Sequence, residues 1–169
     1  MSSGKEHDKS TKAWAGPFTI FLALLFGLQS GLIGGAAFLV GGLWLSPDLD
    51  THSVAFRRWG ILQYLWWPYK KIIPHRSIFS HGLLLGTLMR IGYLLLLTSL
   101  ILALLTKVGF PYHLNPKIFF SQLFQIHKQN LFIVLVGLEA SAWLHLIKDG
   151  GLLQKKRKKQ SINKNKNLL

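Results

Sequence analysis

Residues 17–50 read PFTIFLALLFGLQSGLIGGAAFLVGGLWLSPDLD. Up to Leu45 the run is apolar apart from Gln29-Ser30, and it closes on two carboxylates, Asp48 and Asp50. One straight helix over that run would far exceed a hydrocarbon core of roughly 30 Å, at about 1.5 Å per residue. Gln29-Ser30-Gly31 has turn composition. The pattern therefore predicts a helical hairpin, one helix over 12–28 and a second over 31–46. On the second, Gly31, Gly35, Ala37 and Gly41 give the small-residue spacing that lets a neighbouring helix of the same chain approach closely.

The next stretch, 51–74, interleaves Arg57, Arg58, Lys70 and Lys71 with Phe56, Trp59, Tyr64, Trp66, Trp67 and Tyr69. Rings beside basic side chains suit a lipid headgroup region, so an interfacial segment is expected here and nucleic acid is disfavoured. Two more apolar stretches predict helices over 80–106 and 131–148, separated by a polar-aromatic loop, 107–130, that carries Pro111 and Pro116 and has room for one short helix. The fold class is accordingly an all-α polytopic membrane protein of about four helices. Residues 1–150 form one membrane-embedded metal-binding domain, and the basic run at 155–159 opens a tail, 151–169, expected to be disordered.

Bulk composition agrees with this. The chain has 169 residues, half of them hydrophobic, with 20 Lys and Arg against 6 Asp and Glu and a formal charge of +14. A soluble domain of this size would spread many carboxylates over its surface. There is no cysteine, which excludes disulfides and thiolate metal sites. The polar start, lacking a small-residue cleavage site, marks the first apolar segment as retained rather than removed.

Four spans would put the N-terminus, residues 46–79 and the tail on one side. Arg90, Lys107, Lys117 and Lys128 excepted, sixteen of the twenty basic residues fall there, which assigns that side to the cytoplasm. The same side collects His7, Asp8, Asp48, Asp50, His75, His81, His145 and Asp149. Asp48 and Asp50 follow a helix end, His75 and His81 flank the start of another, and His145 and Asp149 are four apart on one helical face. Imidazoles mixed with carboxylates suit Zn²⁺ or a Mn²⁺/Fe²⁺-type ion. His52 lies close by as a solvated loop histidine, and His113 and His127 fall on the far side. Arg90 and Glu139 come at similar depths on antiparallel helices and are expected to pair inside the bundle.

These residues resemble a small bacterial family of metal-binding membrane proteins, itself similar to the membrane-bound metal-dependent hydrolases. The pieces that carry the likeness are Ser3-Gly4-Lys5-Glu6-His7-Asp8, Pro47-Asp48-Leu49-Asp50 after Gly42, and Arg58-Trp59-Gly60. Trp67-Pro68-Tyr69-Lys70, Pro74-His75-Arg76-Ser77, Ser80-His81-Gly82 and His145 with Asp149 complete it. The resemblance spans about residues 2–150. It implies a metal held by His7, Asp48, Asp50, His75, His81 and His145, with Asp149 as a further ligand or supporting carboxylate.

From this follows the expectation of a metal-dependent hydrolase at the cytoplasmic face of a bacterial cytoplasmic membrane, both termini cytoplasmic. A lipid-type phosphoester is the expected substrate, with Asp8 or Asp149 as general base and Arg76 steadying the anionic group. The competing expectation is a non-catalytic protein in which the metal fixes helix ends together or is sensed.

Overall fold

The structure, a computed structural model, describes residues 4–74, 77–110 and 115–150, and every regular element among them is helical. Helix α1 (Gly4–Phe26) and α2 (Leu28–Leu43) form the hairpin. A 3₁₀ turn at Pro47–Asp50, α3 (Val54–Arg57), a 3₁₀ stretch at Gly60–Trp66, α4 (Trp67–Ile72) and α5 (Ile78–His81) follow. Two long helices, α6 (Leu85–Lys107) and α7 (Pro116–Lys148), complete the chain. The tail from 151 onwards lies outside the described residues, as do His75 and Arg76.

Three segments among the described residues are long and apolar enough to cross a membrane, Leu28–Asp50, Leu85–Lys107 and His127–Lys148. The expected count of four is thereby corrected. The difference lies in α1, which starts well before residue 12 and winds Lys5, Glu6, His7, Asp8, Lys9 and Lys12 into its first turns. Only about 20 Å of apolar helix remains after them, short of a full crossing.

The hairpin turns at Gly27 rather than at Gln29-Ser30-Gly31. Gly27 has φ +87°, a left-handed conformation that glycine adopts without a Cβ clash. The expected loop before the last helix is also largely helical. Asn115 caps it by accepting the Lys117 N–H at 3.1 Å, Pro116 occupies its first turn, and the helix kinks at His127.

Glycines set the helix packing. A Cβ on Gly31 would lie 2.8 Å from Ala23 Cα, while Gly35 meets Thr19 and Gly42 meets Thr11, so α1 and α2 run antiparallel. Gly34 and Ala37 face Gly137, and Gly41 faces Leu138 and Ser141; positions on α2 and α7 rise together, so these two run parallel. The start of α1 and the ends of α2 and α7 consequently meet at one end of the bundle.

Residues 51–74 are more than a surface strap. Leu49, Phe56, Trp66, Tyr69 and Ile73 form a buried cluster against Tyr93 and Leu94 of α6. Trp66 is 0% exposed and contacts Tyr69 edge-on at 5.4 Å between ring centroids. Ile61, Tyr64, Trp67 and Ile72 of the same segment point outward. The aromatic run thus divides between core and surface.

Arg90 and Glu139 do not make the expected pair. Arg90, 2% exposed, donates from Nη2 to Thr87 Oγ1 at 3.0 Å. Glu139 Oε1 instead accepts the Leu84 N–H at 2.8 Å and the Trp143 indole N–H at 2.6 Å. Leu84 has φ +60°, unusual for a branched side chain, and marks the sharp corner between α5 and α6. Glu139 therefore pins the corner that presents His81.

Candidate metal centre

Four helix ends deliver side chains to one place. His7 comes from the second turn of α1, Asp48 from the 3₁₀ turn after α2, His81 from the end of α5, and His145 with Asp149 from the end of α7. Ser46 starts the 3₁₀ turn, its Oγ accepting the Asp48 N–H at 3.4 Å. That tight turn, rather than an extended strand, aims the two aspartates differently. Asp48 is 26% exposed at its side chain and Asp50 is 0%.

The distances describe a chain of alternating imidazoles and carboxylates. His7 Nε2 lies 3.1 Å from Asp149 Oδ1, and Asp149 Oδ2 lies 3.4 Å from His145 Nε2. Asp48 Oδ2 lies 3.3 Å from that same nitrogen, and Asp48 Oδ1 lies 3.5 Å from His81 Nε2. Asp50 approaches the other ring nitrogen of His81, at 3.8 Å. The His7 and His145 rings stack with centroids 3.9 Å apart.

His145 is 5% exposed, and its Nε2 has no hydrogen-bond partner although two carboxylates stand beside it. A buried nitrogen so placed, close to both oxygens and aligned with neither, is arranged as ligand atoms are around a shared point. Two ligand atoms on a tetrahedral zinc with bonds of about 2.0–2.1 Å are separated by roughly 3.3–3.4 Å. The separations among His7, Asp149, His145, Asp48 and His81, 3.1–3.5 Å, lie near that edge, so these residues fit a divalent ion. His7, His145 and Asp149 offer ligand atoms that lie within 4.8 Å of one another, and so do Asp48, His81 and Asp149.

Two of these groups, His7 and Asp149, are held in the forms that bind metal. Burial, and then the neighbouring His145, lowers the pKa of His7 and keeps its imidazole neutral. The neighbouring His145 outweighs burial and holds Asp149 below the usual carboxylate range. A neutral imidazole and an ionised carboxylate are the forms that bind metal.

Serine hydroxyls orient the rings. Ser46 Oγ is 3.4 Å from His145 Nδ1 and Ser80 Oγ is 2.6 Å from His81 Nδ1, which turns each Nε2 toward Asp48. Sequence reasoning assigned neither serine a role, although Ser46 precedes Pro47 and Ser80 stands in the Ser80-His81-Gly82 piece of the likeness.

Asp8, expected as a base, is committed elsewhere. Arg58 donates to both of its oxygens, at 2.9 Å from Nη1 to Oδ1 and more closely from Nη2 to Oδ2. Arg58 Nη1 also donates to the Leu43 carbonyl at 2.9 Å, clasping the start of α1 to the end of α2. Arg58→Ala is expected to destabilise the fold by about 2 kcal/mol and weaken metal binding about tenfold by freeing His7. Thermal unfolding and a metal titration check both effects. Arg58→Lys should recover only part of them, because lysine cannot make the two-pronged contact.

His52 stays out of both groups, its ring edge-on to Phe56 at 5.3 Å between centroids. A pocket touching His7, Asp8, Ser46, Asp48, Ser53 and His145 opens beside the centre.

Comparison with known proteins agrees with this geometry. The family model described as uncharacterized metal-binding protein (DUF2227) matches residues 2–160, so the chain belongs to that family. A protein of Aquifex aeolicus (strain VF5), itself described as an uncharacterized protein, is 44% identical over 61 residues. The alignment covers 36% of this chain and 43% of the relative, so the chain spans less than half of that protein's length. No solved structure matches.

Proposed function

We propose that this member of the metal-binding family is a membrane-embedded hydrolase that uses a Zn²⁺- or Mn²⁺/Fe²⁺-type ion on a phosphoester, with a lipid-type substrate. The observation that carries the reading is His145 Nε2, buried and without a hydrogen-bond partner between Asp48 and Asp149, next to a pocket that also reaches Asp48. An accessible side to the site is what a catalytic metal needs, since water or substrate must complete its coordination. When bound, such an ion lowers the pKa of water and polarises a phosphoryl oxygen.

The protein's own residues divide the work. His7, Asp48, His81 and His145 hold the ion, and His75, outside the described residues, is assigned with them. Asp50 supports His81 from behind. With Asp8 engaged by Arg58, Asp149 both holds the ion and orients the attacking water. Arg76, also outside the described residues, is assigned to the anionic group of the substrate.

Several features support a membrane setting. Apolar side chains of α1 and α6, among them Ile20, Phe21, Leu24, Leu96, Leu100 and Leu104, are exposed. So large an apolar surface matches a lipid contact. The centre's end of the bundle carries Lys5, Lys9, Lys12, Arg57, Arg58, Lys70 and Lys71, which favours the cytoplasmic side for it and for both termini. The outward Ile61, Trp67 and Ile72 beside those bases favour lipid headgroups over nucleic acid.

One observation favours a structural or sensory metal instead: the ligands come from separate helix ends, so an ion would tie those ends together. Activity separates the two readings. Protein in liposomes, loaded with Zn²⁺, Mn²⁺ or Fe²⁺, is expected to cleave phosphoester substrates, and Asp48→Ala to lower the rate at least about 100-fold. Metal bound at full occupancy with no turnover on phospholipid or soluble phosphoesters would favour the structural reading.

A further inference from the structure

The geometry points to two divalent ions rather than one, with the carboxylates of Asp48 and Asp149 placed between them. This inference rests on the metal reading above and goes beyond it in stoichiometry. Two sets of ligand atoms are present: His7, His145 and Asp149 form one, and Asp48, His81 and Asp149 the other. The sets touch where Asp48 Oδ2 lies 3.3 Å from His145 Nε2, and their ligand atoms together spread more widely than either set alone, as around two adjacent ions. Asp149 belongs to both.

One carboxylate, Asp48, is also disposed as a bridge. Asp149 turns Oδ1 to His7 and Oδ2 to His145, while Asp48 turns Oδ1 to His81 and Oδ2 to His145. Asp48 thereby joins an imidazole of one set to an imidazole of the other, whereas both imidazoles that face Asp149 lie in the first set and Asp149 reaches the second through its proximity to Asp48 and His81. Charge agrees. His7, His81 and His145 contribute no negative charge when they ligate as neutral imidazoles, and Asp48, Asp149 and the adjacent Asp50 supply three negative charges toward the four positive charges of two ions. In paired-metal sites the ions stand about 3.5–4 Å apart, and the pair can clamp both the attacking and the leaving oxygen of a phosphoryl transfer.

Titration of the metal-free full-length protein with Mn²⁺ in detergent, followed by elemental analysis and electron paramagnetic resonance, tests this. Wild type is expected to hold two equivalents and to give the multiline spectrum of a coupled pair. His81→Ala and His7→Ala, each checked for helix content by circular dichroism, are expected to hold one equivalent with the six-line spectrum of an isolated ion. One equivalent in wild type with a six-line spectrum overturns the pair and leaves the metal reading standing. No bound metal in wild type overturns both.

Discussion

Asp149→Ala is expected to leave the helices in place and abolish tight metal binding. Asp149 caps the end of α7, where its carboxylate pairs with His7 and His145. The structural cost of removing it in the metal-free protein is therefore small, about 1 kcal/mol for a part-buried hydrogen bond. The cost to binding is large. Partners that merely orient a ligand are worth about 10- to 100-fold in affinity, and Asp149 is itself a ligand in both sets, so a loss beyond about 100-fold is expected. Thermal unfolding reads this directly. Metal at 100 times its dissociation constant stabilises the wild type by about 2.7 kcal/mol, and that increment should vanish in Asp149→Ala. An undiminished thermal shift in the variant would place the metal elsewhere.

Gly137→Leu is expected to damage both fold and centre. A Cβ at position 137 would sit 2.4 Å from the Gly34 carbonyl oxygen and 3.1 Å from the Phe38 nitrogen, both backbone atoms that cannot swing aside. The two helices would have to separate, and overpacking of this kind costs about 1–3 kcal/mol, here at the upper end. Because α2 and α7 run parallel from this contact up to Ser46 and His145, separation there also misaligns the ligands. Unfolding midpoint and metal affinity should fall together. Gly92→Leu is the control: nothing lies within 4 Å of its Cβ position, so a change of no more than about 0.5 kcal/mol is expected.

Much of this was legible in the sequence because the chain spends its ionisable residues so sparingly. Six acidic residues in 169 leave few roles to assign, and Asp48, His81, His145 and Asp149 each follow or precede an apolar run. Apolar periods announce helices, and their ends meet where a bundle closes. What stayed hidden depends on contacts between segments distant in sequence. The Arg58 clasp on Asp8 joins residues 50 apart and cannot be read from either neighbourhood. The different aims of Asp48 and Asp50 follow from a serine-capped 3₁₀ turn, whereas a two-residue spacing by itself suits either a shared or a bridging role. Glu139 and Arg90 looked like partners by depth alone. The left-handed Leu84 corner, which needs an acceptor for its N–H, took Glu139 instead. The hairpin turn fell at Gly27 because a left-handed φ there costs glycine little, a preference the polar Gln29-Ser30 pair obscured.

The central claim is that imidazoles and carboxylates from four helix ends converge on a metal. X-ray absorption spectroscopy of the zinc-loaded, untagged protein addresses it most directly. The account predicts a first shell of nitrogen and oxygen at about 2.0–2.1 Å, with the outer-shell scattering of two or more imidazoles, reduced in His145→Ala. A first shell of oxygen without imidazole scattering, unchanged in that variant, would contradict it.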